Sequence, residues 1–165
     1  MPKQLLIVRH AKAEEADFKK SDFKRALSPR GEKNAQEMAK RLKIKNLIPQ
    51  KLYSSPALRA ISTARYFADG LGIAQSEIIE DPEIYDALTH ELLECISRMD
   101  EHADFVALFG HNPSITDLVN KLCGANIFNI PTCGLALIEF PFDSWKMLSD
   151  GTGELMLYDY PKKEF

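Results

Sequence analysis

The stretch Gln4-Leu5-Leu6-Ile7-Val8-Arg9-His10-Ala11-Lys12 decides the fold. Four consecutive apolar residues, Leu5 to Val8, read as a strand buried on both faces, the habit of a parallel sheet, rather than as a half-exposed strand of alternating polarity. The run stops on two cations, Arg9 and His10. Ligand sites of open α/β sheets collect just beyond the carboxyl ends of the strands. This strand therefore delivers a guanidinium and an imidazole to the place where chemistry is usually done. Arg-His alone is a weak signal. Its weight comes from the rest of the chain.

Outward from that strand, 165 residues with 45% hydrophobic and 27% charged side chains fit one globular domain spanning 1–165 with a sizeable core. The net charge of −3 gives no reason to expect nucleic acid or a membrane surface as partner. The four apolar residues before Arg9 are too few for a signal-peptide core or a membrane span. Cys95, Cys123 and Cys133 are odd in number and lack a CxxC spacing, so they read as reduced thiols of a cytoplasmic protein.

The polar stretch Glu14–Arg25 reads first as a solvated loop, and second, being close behind Arg9-His10, as a rim of the site that touches substrate. Ser28-Pro29 then starts a helix, with Ser28 as cap and Pro29 at the first position, where its missing N–H costs nothing. Ala35, Met38, Ala39 and Leu42 form its buried stripe. Lys51–Ser54 is a short strand. Ser55-Pro56 repeats the cap, and Leu58, Ile61, Ala64, Ala68 and Leu71 carry the next helix to Gly70 and Gly72. Arg59, one turn in, puts a cation at the positive end of the helix dipole, a mild conflict that an anion nearby would relieve.

Further strands are expected within Ser76–Glu80 and over Phe105–Phe109, with a helix marked by Leu92, Leu93, Ile96 and Met99 between them. Gly110-His111-Asn112-Pro113 shows the cap pattern a third time, with Asn112 as cap. Leu135–Phe140 and Glu154–Tyr158 form a terminal pair of strands, antiparallel in part. Strands alternating with helices predict an α/β three-layer sandwich, a mostly parallel central sheet flanked by helices.

Two strands thus end in histidines, His10 and His111, and Arg9 and Arg59 reach the same crevice. Two guanidiniums, two imidazoles and helix N-termini make a site for a dianionic tetrahedral group, phosphate. No Walker loop is present. No HExxH is present either, and two arginines would repel a divalent cation, so neither metal nor cofactor is expected.

Arg9-His10-Ala11, Leu27-Ser28-Pro29-Arg30-Gly31, Ser55-Pro56-Ala57-Leu58-Arg59-Ala60 with Thr63-Ala64, and Gly110-His111-Asn112-Pro113 match, in order and spacing, the histidine phosphatase superfamily. With its short chain and Arg-His-Ala-Lys, the sequence most resembles the SixA phosphohistidine phosphatase branch. The resemblance spans Leu5 to about Pro113. It implies a phosphoglycerate mutase-like fold and a phosphoenzyme mechanism. His10 would be the nucleophile, neutral and oriented by donating one ring N–H to a backbone carbonyl. Arg9 and Arg59 would clamp the phosphoryl oxygens and His111 would donate to them; Ser28, Gly31 and Thr63 would be structural.

Two departures stand out. Ala11 replaces a common glycine, which a negative φ would permit. The acid that protonates the leaving group in larger relatives has two candidates here, Glu83 and Asp86, neither in an alignable motif. Imidazole leaves a phosphoramidate more readily than an alkoxide leaves an ester, so a phosphohistidine-bearing protein is the favoured substrate. A small-molecule phosphomonoesterase and a non-catalytic phosphate-binding domain are the alternatives.

Overall fold

The structure, a computed structural model, describes residues 2–17 and 19–162. Among the described residues, six strands and four α-helices follow one another: β1 (Gln4–Arg9), α1 (Pro29–Ile44), β2 (Lys51–Ser54), α2 (Leu58–Leu71), β3 (Ile78–Glu80), α3 (Thr89–Ser97), β4 (Phe105–Gly110), α4 (Ser114–Cys123), β5 (Leu135–Glu139) and β6 (Glu154–Asp159). The strands form one sheet in the order β3-β2-β4-β1-β5-β6. β3, β2, β4 and β1 are mutually parallel, and β5 and β6 join antiparallel beside β1. No helix among the described residues is long and apolar enough to cross a membrane.

The alternation of side chains along β1 explains its unbroken apolar run. Leu6 and Val8 pack with Met38, Leu42, Phe67 and Leu71 of α1 and α2 on one face. Leu5 and Ile7 pack with Leu92, Ile96, Ile115 and Leu118 of α3 and α4 on the other. Both faces are covered, so both sets of side chains are apolar. This is the expected three-layer sandwich with a mostly parallel sheet.

The helix starts follow the sequence reading only in part. Ser28 caps α1 as expected, its Oγ accepting from Gly31 N at 3.0 Å, with Pro29 in the first turn. α2 begins at Leu58, not Pro56; the Ser55 hydroxyl accepts from the Ala57 N–H at 3.1 Å and lies 2.8 Å from His111 Nε2 instead of capping the helix. α4 begins at Ser114 and lacks the expected Asn112 cap. The Asn112 amide instead donates to Asn129 Oδ1 (2.7 Å) and the Ile130 carbonyl (2.8 Å), and its oxygen accepts from Thr116 Oγ1. Gly70 lies inside α2, and Gly72 closes that helix with φ +72°, the left-handed conformation glycine adopts without penalty.

The start of α1 is pressed onto the backbone that follows His10. The Lys12 carbonyl accepts from Ser28 N at 2.9 Å and from Ser28 Oγ at 3.1 Å. A Cβ on Gly31 would fall 2.0 Å from that same oxygen, so only glycine allows the approach. Gly31→Ala is expected to destabilise the fold by about 1–3 kcal/mol through overpacking. Ser28→Ala should cost about 1 kcal/mol by loss of the cap. Urea denaturation midpoints of the two variants check both values.

Candidate active site

Strand register assembles the site. Arg9 lies opposite Gly110 in the β1–β4 pair, and Ser54 opposite Phe109 in the β2–β4 pair, so the three parallel strands end within one residue of one another. The next residue of each chain, His10, His111 and Ser55, then stands at the same sheet edge. His10 N bonds the Gly110 carbonyl at 3.1 Å, and the two imidazole centroids are 5.2 Å apart.

His10 is 8% exposed, and its backbone is held from three sides. Cys133 N donates to the Arg9 and His10 carbonyls (3.1 and 3.0 Å). On the α2 side, Ala11 N donates to Thr63 Oγ1 at 2.9 Å, and that hydroxyl donates to the Arg59 carbonyl at 2.7 Å. Thr63 thus links the His10 backbone to the helix turn that carries Arg59, a role beyond packing. Ala11 is not among the residues with positive φ, in keeping with its place in the Arg-His motif.

The His10 ring nitrogen Nδ1 lies 2.7 Å from the Ala11 carbonyl. A carbonyl only accepts, so Nδ1 carries the proton and Nε2 keeps its lone pair. Burial is the largest cause that lowers the His10 pKa, to about 3; the Ala11 carbonyl offsets part of this, and His111, Arg59 and Arg9 lower it further. Burial and Arg59 likewise hold His111 at about 4, with Asp22 opposing. Both rings are neutral near pH 7.

The two arginines are tethered at their outer ends. Arg9 Nη1 donates to the Ile130 carbonyl at 3.0 Å. Arg59 Nη1 donates to the Asp22 carbonyl at 2.8 Å, and Nη2 to Asp22 Oδ2 at 2.9 Å. The inner Nε atoms of both, together with His111 Nδ1, are buried and lack a hydrogen-bond partner among the described residues. Buried polar atoms are rarely left unpaired. Arg9, Arg59 and His111 all lie close enough to His10 to lower its pKa, so the three nitrogens belong to one cluster with the neutral imidazole.

Asp22 was concealed in the sequence by the charges around it. Asp22 stays half-exposed, as a solvated loop implies, yet its side chain is anchored: its Oδ2 also accepts from Tyr85 OH at 3.0 Å, and Phe23 meets the Tyr85 ring edge-on at 5.2 Å. Burial would raise the Asp22 pKa, but Tyr85 and Arg59 together hold it below the usual carboxylate range. The anion that the position of Arg59 calls for is partly supplied by the chain itself. Phe23, an aromatic residue next to Asp22 in a run of charges, was the available signal.

Beside Arg59 and His111 opens a cavity of about 250 Å³, walled by Asp22, Tyr85, Asp86 and Ser114. Asp86 has φ +54°, a left-handed conformation that aspartate tolerates better than most residues. The other acid candidate, Glu83, is absent from this wall. Its exposed carboxylate pairs with Arg98. Glu83, Asp81 and Cys95 bring potential metal-ligand atoms within 4.8 Å of one another, but Arg98 already compensates Glu83 and burial raises the Cys95 thiol to about 12.

The neutral histidines fix the sign of a pH effect. The unfolded chain binds a proton at each ring near pH 6.5, whereas folded His10 resists down to about 3 and His111 to about 4. Their contribution is constant above pH 6.5, and stability is lost as pH falls through the window below it, by up to about 1.4 kcal/mol per pH unit for each ring. Urea denaturation at pH 7 and pH 5 in phosphate-free buffer should show this loss, and His10→Gln should make it shallower by about one proton.

Comparison with known proteins agrees with this geometry. Residues 5–87 match the family model of the histidine phosphatase superfamily (branch 1), a span that includes Arg9, His10 and Arg59. A structure from Agrobacterium tumefaciens named "putative phosphohistidine phosphatase SixA" superposes with a TM-score of 0.83 at 26% identity, covering 98% of this chain and 99% of that one. The protein histidine phosphatase SixA complexed with tungstate shares the fold with a TM-score of 0.80 at 24% identity, over 96% of this chain and 97% of that one. An uncharacterised chloroplastic protein of Arabidopsis thaliana, At3g52155, is 29% identical over 152 residues, covering 87% of this chain and 69% of that protein. The chain belongs to the histidine phosphatase superfamily, and its fold is that of the SixA branch.

Proposed function

We propose that this phosphatase works through a phosphohistidine intermediate on His10 and that its substrate is a phosphohistidine carried on a protein. The observation that carries the reading is the set of buried nitrogens without a partner among the described residues, Arg9 Nε, Arg59 Nε and His111 Nδ1, on residues clustered with a neutral His10. A tetrahedral phosphoryl group satisfies all three at once. The neighbour with tungstate, a tetrahedral oxyanion, supports the same ligand chemistry.

In this reading His10 Nε2 attacks phosphorus, its lone pair held ready by the Nδ1–H bond to the Ala11 carbonyl. The bond from phosphorus to the substrate imidazole breaks and its electron pair returns to that nitrogen; with the other ring nitrogen already protonated, the substrate leaves as a neutral imidazole. Arg9 and Arg59 balance the charge on the phosphoryl oxygens, and His111 donates to one of them. Water then attacks phospho-His10, releasing inorganic phosphate and restoring the neutral ring. The two guanidiniums supply the positive charge, so no metal is required. Glu83, paired with Arg98, does not front the cavity, and a protonated imidazole leaves without a strong general acid.

One observation favours a small phosphomonoester as a second reading. Asp86 lines the cavity beside Arg59 and His111, where an alkoxide leaving group would need a proton. Phosphate release from a phosphohistidine-bearing protein and from a panel of phosphomonoesters, measured with chelator present, separates the two. His10→Ala is expected to lose at least about 10³-fold in kcat and all phosphoryl labelling. Glu83→Gln should stay within about twofold of wild type, since its carboxylate is engaged away from the cavity. Preference for the phosphohistidine protein, little affected by Asp86→Asn, supports the first reading. Preference for monoesters with a large loss in Asp86→Asn establishes the second, and full activity of His10→Ala overturns both.

A further inference from the structure

Ser55 is completely buried at the end of β2, and its hydroxyl has two partners: Ala57 N at 3.1 Å and His111 Nε2 at 2.8 Å. An amide N–H only donates, so Ser55 Oγ must accept from Ala57. The hydroxyl carries one proton of its own. Two arrangements toward His111 are then possible, and they differ in what they leave unpaired.

If Nε2 carried the imidazole proton it would donate to Ser55 Oγ. The hydroxyl proton would then lie buried with no acceptor among the described residues. His111 Nδ1, also buried, would present a lone pair to the anion site. If Ser55 donates to Nε2, the hydroxyl is satisfied and the imidazole proton sits on Nδ1. That is the nitrogen left without a protein partner, beside Arg9, Arg59 and His10. The second arrangement leaves one donor aimed where an oxyanion binds; the first leaves an unsatisfied buried hydroxyl and points a lone pair at an anion.

We infer that Ser55 is a positioning residue that selects the Nδ1–H tautomer of His111, through the chain Ala57 N–H to Ser55 Oγ–H to His111 Nε2. Ser55 does not touch the reacting atoms. It makes a neutral imidazole a donor toward the phosphoryl oxygens, so His111 needs no extra proton between two guanidiniums. The same hydrogen bond holds the ring plane, with the edge of Tyr85 packed against it at 5.6 Å. The sequence reading assigned Ser55 to a helix cap; in the fold its hydroxyl serves the histidine instead.

Ring nitrogen spectra of the full chain, with 15N-labelled histidine assigned by His111→Gln, read the tautomer directly. Wild type at pH 7 is expected to show His111 protonated on Nδ1. In Ser55→Ala the His111 signals should shift toward a mixture of tautomers, while those of His10, fixed by the Ala11 carbonyl, stay in place. Ser55→Thr keeps the hydroxyl and should keep the tautomer. A wild-type ring protonated on Nε2, or an unchanged His111 tautomer in Ser55→Ala, overturns the inference. If Ser55→Ala does not fold, the wild-type and Ser55→Thr spectra decide, since loss of the Nδ1–H form in either is fatal.

The kinetic readout rests on the phosphatase reading of the site. Loss of the aligned donor should lower kcat on the order of tenfold in Ser55→Ala, with KM changing less and Ser55→Thr restoring most of it. Wild-type turnover with unchanged kcat in Ser55→Ala would also overturn the inference. Absence of turnover on every phosphorylated substrate, with the tautomer as expected, would count against the phosphatase reading and leave the assignment of Ser55 intact.

Discussion

The parallel register of β1 against β4 is the constraint on which the site depends. It sets Arg9 opposite Gly110, so the residues that follow are neighbours even though about a hundred positions separate them in sequence. The register is fixed by burial on both faces. A slip of one residue would move Leu6 and Val8 into the α3–α4 layer and Leu5 and Ile7 into the α1–α2 layer, undoing two packed cores at once. Apolar side chains that never meet the ligand thereby hold the two imidazoles at a 5.2 Å spacing.

On that frame the flanking helices act as clamps for the backbone around His10. α1 presses on the Lys12 carbonyl through Ser28 and the bare face of Gly31, and α2 reaches Ala11 N through Thr63. What they hold is costly by itself. Three buried nitrogens without partners among the described residues oppose folding, and two imidazoles that resist protonation add to that cost as the pH falls below 6.5. A site that carries such a deficit stabilises whatever supplies the missing acceptors, and an anion that does so is bound by groups already in place.

Much of this was legible because it rests on local rules. The apolar run before Arg9, the Ser28-Pro29 start of α1 and the order of strands and helices each follow from short-range chemistry, and all three are present in the fold. Arg59 in the first turn of a helix signalled an anion for the same reason. Long-range economy was hidden. Ser55 and Asn112 each resemble a cap, yet their side chains are taken by partners far along the chain, His111 and the segment through Asn129 and Ile130. Asp22 is indistinguishable by composition from its charged neighbours, and only the fold brings it to Arg59 and Tyr85. Glu83 and Asp86 differ by three positions; a turn at Pro82–Ile84 sends one to Arg98 and the other to the cavity wall.

The tethering of both guanidiniums makes each arginine serve two masters. The outer nitrogens belong to the scaffold, to Ile130 in one case and Asp22 in the other, and in the proposed reading the inner edge is left for the phosphoryl group. A planar group with five donors at fixed angles can divide itself in this way; an ammonium, a single point of charge, cannot. A lysine at position 9 or 59 would preserve the formal charge and still have to choose between bracing the loop and meeting the anion. Interchange of the two cations is therefore closed at these positions by geometry, whatever the electrostatic balance of the site.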